Sequence, residues 1–244
     1  MHDSIYKARR ELFKRMDIPV TRADVHVLRW KHRYRLIFWE GMLRSLLVVK
    51  RLVDILISAI ALLMLLPVFL IVAVFIIAED GFPVIYVQKR VGLNGREFRF
   101  FKFRSMCKDA DKMKGELLEK NESSGNVTFK IKDDPRVLRC GRILRRFSID
   151  ELPQFLNVLI GNLSIVGPRP PLPEEVKRYS LSDRKRLHVK PGITCLWQVR
   201  GRSDIPFDEQ VGLDIQYIQS QSILKDLIIV FKTIPAVLFG RGAY

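Results

Sequence analysis

Two adjacent carboxylates, Asp150 and Glu151, lie between the basic pair Arg145/Arg146 and the rigid run Pro168-Arg169-Pro170. Carboxylates hold Mg²⁺ and arginines neutralise phosphate oxygens, so this spacing points to a divalent cation and a phosphate handled together. The same stretch also spells a capping box, with Ser148 as N-cap and Glu151 at N3 reaching back to its amide. Acids in a first helical turn are favoured by the helix dipole for structural reasons alone. Locally, both readings stand.

The 244 residues suffice for one good-sized domain with appendages. A net charge of +16 calls for an anionic partner, and nucleic acid, anionic lipid and phosphorylated substrates all qualify. The three cysteines form no CxxC pair, which argues against a zinc site or a disulfide framework and fits a reducing cytosol. No secretory signal peptide is expected, because the apolar run begins deep in the chain without a small-residue cleavage site.

Four segments are expected. Residues 1–49 form a basic extension in which Lys and Arg alternate with Trp and Tyr, suited to a membrane surface and also to RNA. Residues 50–81 form the membrane helix. Its uncharged part, Ile55 to Ala78, would be roughly 36 Å long as a straight helix, enough to cross a bilayer core. Pro67 at its middle should break the axis, and basic residues flank both ends, so a re-entrant helix competes with a straight span. Residues 82–220 form the catalytic domain, and 221–244 an amphipathic tail too short to span, lying at the interface.

Within the domain, Val84–Gln88 and Phe98–Phe103 read as a hairpin turning at Asn94-Gly95. Phe98, Phe100 and Phe103 are placed on one side, with Arg99 and Lys102 facing elsewhere. Lys102 and Arg104 at its end are candidate phosphate ligands. Lys108–Lys120 reads as a charged helix, Asn121–Asn126 as a loop, and Val137–Arg146 as a helix. The helix capped by Ser148 should bury Leu152, Phe155, Leu156 and Leu159 and close at Gly161-Asn162. Arg169 is presented by a proline-stiffened loop, Tyr179–Lys190 reads as a basic helix, and Phe207–Gln219 as another.

Taken together, the proline-centred apolar helix, QKRVGLNGREFRFFKFRSM, DDPRVLRCGRILRRFSIDELPQFLNVLIGNLSIVGPRP and KPGITCLWQVRGRSD resemble the bacterial sugar transferase family, the monotopic phosphoglycosyl transferases. The resemblance implies an α+β monotopic membrane protein with a Pro67-broken re-entrant helix, a β-hairpin and a mainly helical cytosolic catalytic domain. It implies location on the cytoplasmic face of the bacterial inner membrane. The implied reaction moves a sugar-1-phosphate from a UDP-sugar to undecaprenyl (polyprenyl) phosphate and releases UMP, starting an exopolysaccharide, capsule or O-antigen. Asp150 would be the nucleophile and Glu151 would help to hold Mg²⁺. Lys102, Arg145, Arg169 and Arg202 would bind phosphate and nucleotide. In this reading the capping box at Ser148 aims helix amides at the phosphate. No nucleic acid is expected, a homodimer is left open, and the sugar is unassigned, with an unmodified hexose favoured. The main rival is a membrane-anchored binding protein for anionic lipid or nucleic acid in which the acids only cap a helix.

Overall fold

The computed structural model describes residues 22–113, 134–201 and 205–239. The distal part of Lys108–Lys120, the loop Asn121–Asn126 and Arg202 lie outside the described residues. The chain divides into two units, Met1–Lys50 and Arg51–Tyr244. In the first, the described residues are helical, and the exposed rings of Trp30 and Tyr34 stack at 5.7 Å between centroids.

The helix α1 is Arg22–Asp80, and its stretch Ser45–Asp80 is long and apolar enough to cross a membrane. Helical structure continues through Pro67, with no residue outside the helix there. The proline removes the amide that would bond the Leu63 carbonyl, but the flanking apolar residues carry the helix onward.

Both ends of the apolar stretch bond to the rest of their unit. Near the start, Arg51 donates to the carbonyls of Val158 (2.5 Å) and Leu159 (2.9 Å), and Asp54 accepts from the Ile165 amide (3.1 Å). Near the end, Val72 and Ile76 pack with Phe103 and Leu144 in a small core, where Phe69 meets Phe103 edge-on at 5.2 Å.

A hairpin follows: β1 (Ile85–Val91) pairs antiparallel with β2 (Glu97–Phe103) across a turn containing Asn94 and Gly95, both at positive φ. Side chains alternate along a strand. Lys102 therefore shares a face with Phe98 and Phe100, its Nζ lying 5.4 Å from the Phe100 ring centre, while Phe103 turns to α1. Phe98 and Phe100 thus share one side as expected, but Lys102 lies on that side with them and Phe103 on the other.

Beyond the hairpin come α2 (Ala110–Met113), α3 (Arg139–Arg146), a 3₁₀ turn (Ile149–Glu151) and α4 (Gln154–Ile160). Next are β3 (Ser164–Val166), α5 (Pro173–Lys177) and a 3₁₀ stretch, Asp183–His188, where one longer basic helix was expected. The strand β4 (Gly192–Thr194) pairs parallel with β3, and α6 (Phe207–Gln219) and α7 (Ile223–Phe239) complete the described chain. The main core joins Phe100, Val158, Leu163, Val166, Trp197, Leu213, Tyr217 and Ile229. On α7, Leu224, Phe231 and Ile234 are exposed while Ile229 is buried.

The buried face of α4 differs from expectation. It carries Gln154, Asn157 and Val158, while Leu156 and Ile160 are exposed. Asn157 sits inside because its amide takes up backbone groups of β2, accepting from Phe101 N (3.0 Å) and donating to Arg99 O (2.6 Å). A buried polar side chain whose donor and acceptor are both satisfied is stable where a leucine would strand two backbone groups.

Candidate active site

The acids sit on the 3₁₀ turn between α3 and α4. Ser148 precedes it at φ 53°, in the left-handed region, and its side chain caps no amide of the turn. The expected capping box is thus not formed. Backbone bonds close the turn instead, Glu151 N to Ser148 O and Leu152 N to Ile149 O. A three-residue turn has too few aligned peptides to build a useful dipole, so the field around the acids comes from side chains.

Lys102 donates to Glu151 Oε1 at 2.9 Å and lies 4.0 Å from Asp150 Oδ2. Arg169 reaches the same Glu151 oxygen at 3.1 Å. Two charge-assisted bonds, each about twice as strong as a neutral one, hold the Glu151 carboxylate to Lys102 and Arg169, while the Ser148 amide bonds the Arg145 carbonyl. Arg169 is held by its loop: Gly167 N bonds Thr194 O, and Gly192 N bonds Pro168 O. Gly167 is needed there, because a Cβ would stand 2.5 Å from the Lys190 carbonyl oxygen.

Arg145 is anchored through Nε to Ser105 Oγ at 3.0 Å, and its charge acts on Asp150. Beside it, Asp134 and Arg136 form a buried pair at 2.5 Å. Arg104 does not join the site. It is buried, pairs with Asp80 at 2.8 Å, and donates to the carbonyls of Asp80 and Gly81. One residue past β2, it meets the end of α1, whose free carbonyls attract a cation. Its expected role as a phosphate ligand is therefore replaced by a structural one.

Arg90 is the residue that sequence reasoning missed. It bonds Gln88 Oε1 and the Pro170 carbonyl, and lies 5.5 Å from the Phe100 ring centre. Burial first, then the charge of Arg169, pull its pKa down to about 10, and Glu151 opposes them. Strand register held the signal: Tyr86, Gln88 and Arg90 pair with Lys102, Phe100 and Phe98, so they share the face that carries Lys102.

Burial raises the Asp150 carboxyl to about 6. Lys102 pulls against that rise, Glu151 adds to it, and Arg145 and Arg169 oppose it. Burial would also raise Glu151, but Lys102 and Arg169 overturn this and hold it well below the usual carboxylate range. Of the two carboxylates, Asp150 is thus the more basic. Lys102 is itself pulled down by burial, against Glu151 and Asp150.

Among the described residues no group of three or more acidic, His or Cys side chains gathers to hold a metal. Mg²⁺ nevertheless suits this donor set, because it is commonly held by one or two carboxylates completed by water and substrate phosphates. Both cations converge on Oε1 of Glu151, and Oε2 is not so engaged.

The profile of the bacterial sugar transferase family matches residues 45–240. The chain is 43% identical over 198 residues to the exopolysaccharide production protein ExoY of Sinorhizobium fredii, covering 80% of this chain and 88% of that protein. It is 51% identical over 177 residues to the galactosyl transferase CpsE of Streptococcus agalactiae, covering 71% of this chain but 39% of that protein. It is 38% identical over 232 residues to the undecaprenyl-phosphate galactose phosphotransferase of Salmonella typhimurium, covering 93% of this chain and 48% of that protein. The chain thus spans less than half the length of these last two relatives and most of the length of the first. The acid turn, Lys102 and Arg169 all fall inside the matched region, and the chain belongs to the bacterial sugar transferase family.

Proposed function

We propose that the protein is a UDP-sugar:undecaprenyl-phosphate sugar-1-phosphate transferase working through a covalent aspartyl intermediate. The observation that carries this is the buried Asp150–Glu151 pair facing Lys102 and Arg169, with Arg145 and Arg90 close enough for their charges to act on it. Lys102 and Arg169 bond Glu151 directly, and Arg145 and Arg90, whose other acidic neighbours are Asp134 and Glu175, add cationic charge that suits a diphosphate.

In the first half-reaction, a carboxylate oxygen of Asp150 attacks the sugar-bearing phosphorus. The bond from that phosphorus to the bridging oxygen breaks, and UMP leaves with the oxygen. In the second, a phosphate oxygen of undecaprenyl phosphate attacks the same phosphorus, freeing the Asp150 carboxylate and forming the lipid diphosphate sugar. Two steps let one site serve a water-soluble donor and then a lipid acceptor. Lys102, Arg169 and Arg90 neutralise the diphosphate and so offset its repulsion of Asp150. Mg²⁺ held by Glu151 would add charge stabilisation at the phosphates. We favour a hexose donor, galactose first, because two of the relatives above are named for galactose.

The site belongs at the cytoplasmic leaflet of the inner membrane, where the nucleotide sugar is available. Support for a re-entrant α1 comes from the two ends of its apolar stretch. Arg51 and Asp54 at one and Glu79 and Asp80 at the other bond to the same polar domain, which cannot lie within hydrocarbon. The test is UMP release by purified protein given Mg²⁺, UDP-galactose and undecaprenyl phosphate. Without acceptor, label from the sugar-bearing phosphate should accumulate on Asp150. Full turnover by Asp150→Asn would sink the mechanism.

A further inference from the structure

The acid turn is held from outside at both of its flanking helices, and α1 makes both contacts. At the N-terminus of α3, Glu79 Oε1 accepts from the Arg139 amide (2.6 Å) and Oε2 from the Cys140 amide (2.9 Å). A helix start leaves such amides without partners, and the α3 N-cap position, Leu138, supplies no side-chain bond. At the C-terminus of α4, Arg51 donates to the carbonyl of Val158, which also accepts from the Gly161 amide, and to that of Leu159. Gly161 makes room for this arginine. It closes α4 at φ 101°, and a Cβ there would lie 3.3 Å from Arg51 Nη2.

Between these two contacts run α3, the turn of Asp150 and Glu151, and α4. The turn itself holds two 3₁₀-type backbone bonds, the cations at its carboxylates, and Ile149, which packs on the small core that Val72 and Ile76 of α1 help to build. Its placement therefore follows the placement of the helices on either side. Arg145 rides on the last turn of α3, and Asn157 of α4 locks that helix to β2 and hence to Lys102. A shift of either helix along its axis would move the acids against their cations.

We propose that Glu79 and Arg51 are positioning residues for sugar-phosphate transfer: α1 grips the helices on both sides of the acid turn and so sets the position of Asp150. This rests on the transferase reading above. Neither residue is given contact with substrate. The seating of the membrane helix becomes a determinant of turnover, and the anchor and the catalytic geometry are one mechanical unit.

The experiment uses the full chain in lipid nanodiscs, comparing Glu79→Ala, Glu79→Gln, Arg51→Ala and Arg51→Lys with the unaltered protein. Misplacement of reacting groups by a fraction of an ångström lowers turnover, so each alanine variant should lose about tenfold in kcat. The KM for UDP-galactose should stay within about twofold, because the donor's remote contacts are untouched. Gln keeps one acceptor and Lys keeps the charge, so both should restore part of kcat. Amide exchange should quicken across residues 149–152 in both alanine variants, as well as at the contacts themselves.

Exchange that quickens only at 139–141 in Glu79→Ala or at 158–161 in Arg51→Ala, with kcat unchanged, would overturn the proposal. So would a loss of kcat that matches the loss of folded, membrane-bound protein. If the unaltered protein releases no UMP, the transferase reading fails by itself, and exchange across 149–152 still decides the positioning role.

Discussion

Two buried aspartates, Asp150 and Asp214, are both raised to about 6, burial being the largest cause in each. Their surroundings differ in stoichiometry. Asp214 on α6 meets one cation, Arg186, which also donates to Tyr179 Oη at 3.1 Å and stacks its charge over that ring. The charges there match one to one, inside the fold. Asp150 shares its setting with Glu151 and with the cations Lys102, Arg145 and Arg169. A balanced pair is complete and has structure as its product. An unbalanced cluster has cationic capacity left over, and that capacity is what an incoming diphosphate would meet. A perturbed pKa therefore does not by itself separate a site from a strut. The count of charges around it does.

The largest effect that would break this contrast concerns Asp150. Asp150→Asn should lower UMP release by at least about a thousandfold while leaving the unfolding midpoint near that of the unaltered protein, measured by turnover and thermal unfolding together. Lys102→Met comes next. Removing the cation that touches both acids should cost about a hundredfold in kcat/KM, read from initial rates of UMP release.

The pH profile is third. With Asp150 attacking as its anion, as proposed, kcat/KM should climb about tenfold per pH unit below about 6 and level off above it. A flat profile from pH 5 to 8 would contradict the assignment. At Asp214 a rise of the same sign is read in stability instead. Its folded value lies above the usual 3.8, so folding takes up a proton between about pH 4 and 6, and this contribution to stability declines as pH rises through that window. Asp214→Asn, the smallest effect on chemistry, should act on the fold. Leaving Arg186 buried without its counter-charge should destabilise by about 3–5 kcal/mol in denaturant unfolding, with the kcat of the surviving folded fraction within about threefold.

Much of this arrangement was legible in the sequence because it rests on local signals. An uncharged run long enough for a bilayer, Asn94-Gly95 between alternating strands, and Gly161 at a helix end each act within a few residues, and each element is present. The bounds of α6 also coincide with the expected Phe207–Gln219. The misses share a different physics. Glu151 bonds Lys102 and Arg169, distant in sequence, while the Ser148 amide bonds the Arg145 carbonyl. Asn157 replaces a leucine of the expected stripe because β2 needs an amide there. Arg104 turns to α1 because the helix end is its neighbour in space. The exposed Leu156 and Ile160 show a further limit: in a chain with a membrane helix, an apolar face is no guide to which side is core.

The Asn157 bonds have one more consequence. A two-stranded hairpin has open edges, and an unpaired edge is a template on which another chain can add a strand. On the outer side of β2, the donor at Phe101 and the acceptor at Arg99 are both occupied by this one side chain. Asn157 thus stands in for a third strand. Replacing it would expose an adhesive seam as well as loosen α4 from β2, so self-association of the protein should accompany a slower reaction.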